Sequence, residues 1–311
     1  MKSVRESASD YARQLNEASW TSVLGYAYLL FLGIGTLRLL TPAQLSEPLR
    51  MLGLAIPPLL LVAKDLVQFP DVVARLRRLR ADGARWPRFM AACLPPALVG
   101  MARLDRALWS GFFRWLRREQ NPARPAGKAL TYHQRGAYST AVAFGLFSTL
   151  IELPLSAAIL PLLIRDANTV GTIHLLMAAG SIYTLVWLLG DRWLVRADYH
   201  VLTDSHLDLH IGARASARIP LDAIADAQPL SQSLVQWKKA NPCRPADMVS
   251  ITPFDKPNLV LRLRPGADCA IMHHGVARKD VRYVFLYLDR PQQLTSALAA
   301  ASPGSGGAQA Q

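Results

Sequence analysis

The sequence predicts a membrane protein: an α-helical bundle of four transmembrane helices, followed by a β-rich barrel domain capped by one helix. Its 311 residues are 51% hydrophobic and 18% charged, with a mean hydropathy of +0.16. That is too apolar for a disordered chain and high for a soluble one. Four stretches meet or approach the ~20 apolar residues needed to cross a bilayer, and they fall as two close pairs. After Leu194 the long apolar runs give way to short alternating segments broken by Gly, Pro and Asp, the pattern of a β-rich soluble domain.

Residues 1–19 form an N-terminal segment with no net charge. It is long and uncharged for the start of a cleaved signal peptide, and the apolar run after it is too long for an h-region, so the first span is retained. Residues 20–67 make the first hairpin. Trp20 to Leu40 carries Arg38 as its only charge, close enough to the end to snorkel. Met51 to Val67 is shorter, contains Pro57 and Pro58, and ends near Lys64 and Asp65; the short link Thr41 to Arg50 makes the pair a helical hairpin. Residues 139–194 repeat the arrangement, with Ser139 to Ile164 and Val170 to Leu189 joined by Arg165 to Thr169.

Charge sets the orientation. The chain carries 35 Lys and Arg against 22 Asp and Glu, a formal +13, and +10 of this lies in residues 68–138. The positive-inside rule places that loop in the cytoplasm, and with four spans both termini join it there. The expected location is therefore a bacterial inner membrane, multi-pass. Within the loop, Met101 to Arg118 reads as an amphipathic interfacial helix: Met101, Leu104, Leu108, Phe112, Trp115 and Leu116 share one face, and Arg103, Arg106, Arg114, Arg117 and Arg118 the other. Such a helix suits an anionic lipid surface. The alternative is that the same face packs on the protein's own cytoplasmic domain, which Asp105 at its edge favours. Phe89 to Gly100, with Pro95 and Pro96, is too short to span and reads as re-entrant or interfacial. An arginine stripe backed by Trp and Phe between two hairpins leaves no room for a reading head, so no nucleic acid partner is expected.

In residues 195–300 strands are predicted at Tyr199 to Thr203, Leu207 to Ile211, Ala217 to Pro220, Met248 to Ile251, Leu259 to Leu263 and Val281 to Leu288, with a helix from Pro291 to Ala300. Residues 301–311 are a flexible tail. Four segments carry a resemblance: YHVLTDSHLDLHIG from Tyr199, RIPLDAIADAQPL from Arg218, PNLVLRL from Pro257 and VRYVFLYLDRPQQLTSAL from Val281. On these, the C-terminal third resembles the bacterial pleckstrin-homology-like (PH-like) domains that are often fused to transmembrane hairpins. The resemblance implies a small barrel, brings no catalytic residue, and does not extend to the N-terminal membrane part. A polar insertion, Ser231 to Asp247, departs from the family; composition leaves open whether it is a binding loop or disorder.

Glu152 lies mid-span, with Tyr183 and His174 as possible partners in the same hairpin. An ionisable group at that depth is either functional or a neutral acid bonding across the bundle. His206, Asp208 and His210 share one face of a strand, with His200 opposite, a weak candidate for zinc; the same pattern fits an ordinary solvent-facing strand. Cys93, Cys243 and Cys269 are widely spaced and indicate neither a disulfide framework nor a zinc site. With no P-loop, GxSxG or HExxH, no cofactor is expected. The expected role is a non-enzymatic scaffold or binding module whose partners are anionic lipid and a protein or a second copy of the chain. The alternative is a small transporter or channel component using Glu152.

Overall fold

The computed structural model describes residues 15, 18, 20–83, 85–120 and 126–301. The expected tail and nearly all of the N-terminal segment therefore lie outside the described residues. The chain divides into two compact units, Met1–Gly100 and Met101–Gln311.

The first unit holds α1 (Trp20–Leu40), α2 (Ala43–Ala81) and α3 (Trp86–Cys93). At 39 residues α2 is about 58 Å long. It keeps Pro48, Pro57, Pro58 and Pro70 inside and runs well past Val67, so Arg75, Arg77, Arg78 and Arg80 sit on a helix rather than in a loop. Trp20 Nε1 donates to Gln68 Oε1 at 2.8 Å. Gly53 lets α1 approach, since a Cβ there would lie 3.2 Å from Ile34. Lys64 is fully buried and donates to the carbonyls of Leu15 (2.6 Å) and Ala18 (3.0 Å), which offsets the cost of removing an ammonium from water.

The second unit opens within α4 (Pro96–Leu116) and continues through β1 (Lys128–Leu130), α5 (Tyr138–Leu163) and α6 (Ala167–Ala197). Three helices, Gln44–Ala81, Tyr138–Leu163 and Ala167–Ala197, are long and apolar enough to cross a membrane; the apolar stretch counted in α1, Ser22–Arg38, is shorter. Asp166 starts α6 by accepting from Thr169 N at 2.8 Å, which makes the α5–α6 turn tight.

Among the described residues ten strands form two sheets. The first has order β1-β2-β3-β4-β8-β9, with β2 (His200–Leu202), β3 (His206–Ile211), β4 (Ala215–Pro220), β8 (Ala270–His273) and β9 (Val276–Arg278). The second has order β5-β7-β10-β6, with β5 (Ile224–Pro229), β6 (Met248–Ile251), β7 (Leu259–Leu263) and β10 (Tyr283–Leu286). All pairings are antiparallel except β6 with β10. The expected closed barrel is not formed. The outer strands β1 and β9 have three residues each, too few to carry a ladder from one sheet to the other. Leu207, Leu209, Ile211, Ile219, Leu259, Leu261 and Val284 fill the core between the sheets. α8 (Gln292–Ala301) buries Leu294 against it, as the predicted C-terminal helix requires.

Two further features depart from the sequence reading. β1 pairs with β2, Ala129 opposite Val201, so the sheet begins before α5 and the α5–α6 hairpin is inserted between two neighbouring strands. The polar insertion forms α7 (Leu234–Ala240), started by a Ser233–Gln236 capping box, with Trp237 edge-on to Tyr283 and Phe285 at 4.9 and 5.0 Å. The insertion is thus an ordered helix over the outer face of the second sheet.

Candidate functional site at the joint between helices and sheets

Two buried carboxylates of the second unit, Asp191 and Asp255, lie where α5 and α6 meet the sheets. Asp191 falls on α6 just after the last apolar run, and Arg214 in the β3–β4 turn reaches it with both Nε (2.9 Å) and Nη2. Arg214 Nη1 also donates to Pro253 O at 2.7 Å, and Tyr138 OH donates to Asp191 Oδ2 at 2.8 Å. Phe254 stacks on Tyr138 with centroids 5.9 Å apart and covers the guanidinium at 4.4 Å. Each member of this ion pair satisfies the other, and removing either from such an environment costs about 3–5 kcal/mol.

The start of α5 is held by two acids from the sheet region. Asp255 accepts from Ala137 N, and Asp289 accepts from Gln134 N (3.1 Å) and Arg135 N (2.9 Å). Negative charge belongs there, beside the unsatisfied N–H groups of a helix start. Gly136 is required because any Cβ would overlap the Asp255 carboxylate. At the far end of α6, Tyr132 OH donates to Val195 O at 3.1 Å.

α4 crosses α6 where both backbones are bare. A Cβ at Gly190 would sit 2.0 Å from Leu108 O, and one at Gly111 2.6 Å from Gly190 O. Beside the crossing, Asp105 Oδ1 accepts from Tyr183 OH (2.6 Å) and Trp187 Nε1 (2.8 Å). Leu104 and Leu108 are buried, so the middle of the predicted apolar face packs on protein; Met101, Phe113, Trp115 and Leu116 remain exposed. Of the arginines, Arg114 lies over the Trp193 ring at 5.4 Å and Arg103 Nη1 reaches Gly275 O at 3.4 Å. Arg106 is exposed, Arg117 lies 3.8 Å from Glu119, and Arg118 ends the helix at φ 54°.

Glu152 accepts a long hydrogen bond, 3.5 Å, from buried Ser181 across α5 and α6. Tyr183 is turned to Asp105 instead, and His174 Nε2 is buried with no hydrogen-bond partner in the structure. His206 Nε2 and Arg218 both bind Asp208, at 3.0 and 2.8 Å, and the Arg218 bond leads in holding that carboxyl below its ordinary value. Arg218 stands directly opposite Asp208 in the ladder. The trio is a cross-strand ion pair, and among the described residues no group of three or more His, Cys, Asp or Glu is placed to hold a metal.

His200, read from sequence only as an opposing residue, is the most enclosed histidine. It stacks on Tyr132 at 4.4 Å, its Nδ1 accepts from His210 N at 3.1 Å, and its Nε2 has no partner. Burial, then the charge of His210, pulls its pKa down to about 3. Two residues earlier, burial pushes Asp198 up to about 6 against the opposing pull of His210.

Compared with known protein families, curated proteins and solved structures, the chain matches none. The reading of the joint therefore rests on its own chemistry. Among the described residues it fixes two apolar helices to two sheets.

Proposed function

We propose that this chain is a multi-pass protein of a bacterial inner membrane and acts as a non-enzymatic scaffold. In this reading the sheet region is a PH-like binding domain held at the cytoplasmic surface. The observation that carries it is the joint. The hairpin is inserted between paired strands and locked by Asp191, Arg214 and Tyr138, so the sheets follow the helices as one body. α1 joins the three candidate spans as a fourth crossing, and the +10 charge of residues 68–138 sets that segment and both termini on the cytoplasmic side.

Two surfaces support a binding role. The exposed Phe113, Trp115 and Leu116, next to Arg117 and Arg118, suit acyl chains and anionic headgroups. A cleft of about 280 Å³ beside α7, lined by Asp226, Gln228, Trp237, Asn241, Arg262 and Tyr283, offers a protein partner a mixed polar and aromatic seat. The transporter alternative would need Glu152 to meet a second ionisable group. Among the described residues its hydrogen bond is to Ser181, a contact across the hairpin.

Reporter fusions test the layout. Those at Gly127 and Gly266 are expected to report cytoplasm, and one at Gln44 periplasm. A periplasmic signal at Gly266 means an odd number of crossings and overturns the proposal.

A further inference from the structure

The β8–β9 hairpin gathers His273, His274 and Arg278, with Arg103 beside its turn. Its two-residue turn, His274 (φ 49°) and Gly275 (φ 72°), has the paired positive angles of a tight hairpin and fixes where the two imidazoles stand. The rings of His273 and His274 meet edge to face with centroids 4.2 Å apart. Register places Arg278 opposite Ile271 and Val276 opposite His273, so Arg278 and His273 share the face that carries the buried Ile271. Arg278 Nε is buried and has no hydrogen-bond partner in the structure. Arg103 comes in from α4, its Nη1 3.4 Å from the Gly275 carbonyl.

An orphaned, buried guanidinium N–H is costly, and native structures rarely keep one without a ligand or ordered water. Burial first, and then the charges of Arg278 and Arg214, hold both imidazoles below their ordinary pKa, so near pH 7 they are neutral, with the His273 ring bonded to the Ser250 backbone. Asp191 is already committed to Arg214. The hairpin is anchored to the joint, because His274 N donates to Arg214 O at 2.6 Å. Its tip therefore lies near the end of α6.

We propose that Arg103, His273, His274 and Arg278 form a phosphate-binding site. Arg278 and Arg103 clasp the anion through charge-assisted hydrogen bonds, and the neutral His274 imidazole, held edge to face by His273, adds an N–H donor. The same chemistry serves a free phosphate or a lipid phosphate. Only the lipid source rests on the scaffold reading above; the anion site itself does not.

The test uses the full chain in nanodiscs of neutral phosphatidylcholine, with inorganic phosphate as probe against potassium chloride of equal ionic strength. Phosphate is expected to raise the melting temperature of the wild type above the chloride control. Arg278→Gln and Arg103→Gln should each weaken the response about tenfold or more in half-saturating concentration, whereas Arg290→Gln, an exposed arginine outside the cluster, should respond as the wild type does. Should Arg278→Gln fail to fold, Arg103→Gln and His274→Asn carry the comparison. A second arm uses discs containing 30% phosphatidylglycerol. A wild type already stabilised there, and no longer responsive to added phosphate, identifies the lipid as source; an undiminished response identifies free phosphate. A wild type that does not distinguish phosphate from chloride in neutral discs, or cluster variants that respond like wild type, overturns the site. Neither result bears on the number of crossings, which the fusions measure separately.

Discussion

Acidification from pH 7 to pH 5 is expected to destabilise the sheet region through His200. Its ring is fully buried against Tyr132, and its folded pKa of about 3 lies far below the ordinary 6.5. The folded state refuses a proton that the unfolded chain accepts. This contribution is complete above about pH 6.5 and is lost progressively as pH falls towards 3. At about 1.36 kcal/mol for each pH unit, the loss by pH 5 is about 2 kcal/mol. Asp198 has the opposite sign. Its carboxyl is raised to about 6, so a falling pH relieves the burial of its charge, by about 1 kcal/mol over the same range. The wild type alone would show only the difference, and a variant is needed to separate them. His200→Asn keeps an acceptor close to the Nδ1 position for His210 N–H and cannot be protonated. Thermal unfolding of the full chain in detergent, at pH 7 and pH 5 and constant ionic strength, gives the comparison. The wild-type advantage over His200→Asn should shrink at pH 5 by about 4–8 °C. An advantage of the same size at both pH values would refute a buried neutral imidazole.

Gly190→Ala should destabilise the second unit by about 3 kcal/mol or more and expose Trp109 and Trp187 to an aqueous quencher, because its Cβ meets the Leu108 carbonyl rather than a movable side chain. Gly171→Ala, whose Cβ meets nothing, serves as control; equal melting of the two variants would count against a backbone-to-backbone crossing. Glu152→Gln should keep expression and cost on the order of 1 kcal/mol, since the amide can still accept from Ser181, whereas Glu152→Leu strands that hydroxyl. A Gln variant that shows the deletion-strain phenotype at unchanged stability would instead favour the transporter reading.

The parts of the fold that were legible in the sequence are those whose signal is local. The apolar runs of α5 and α6 stand out by length, and β6 and β7 emerge with the bounds that alternation gives, Met248–Ile251 and Leu259–Leu263. The second span ends at Val67 in the sequence because Lys64 and Asp65 close its apolar run, yet the helix continues through Pro70 to Ala81. β1 is three residues with no alternation of its own, and only β2 makes it a strand. α7 did announce itself: Ser233 and Gln236 are a capping-box pair, outweighed by the polar composition around them. The joint was the least legible. Asp191 reads as the charged rim of a span and Arg214 as a turn residue, and nothing in their spacing of 23 positions joins them. On α4 the amphipathic face is divided, with Leu104 and Leu108 buried and Leu108 at the crossing with α6, while Trp115 and Leu116 are exposed.

The insertion of a hairpin between paired strands has a mechanical consequence that a single linker would lack. A domain tethered once can swivel about its tether, and its orientation is lost within a few flexible residues. Here the chain passes between helices and sheets twice, through residues 131–137 and through Asp198 and Tyr199. The first passage is pinned by Asp255 and Asp289 at its backbone N–H groups; the second is flanked by Asp191 on α6 and His200 in β2. Two anchored passages, with Arg214 tying a third loop to α6, leave no single bond about which the sheets can rotate. Whatever binds the sheets therefore meets a surface whose tilt is set by α5 and α6, and disturbing Asp191 or Arg214 should alter that tilt before it alters either helix or sheet.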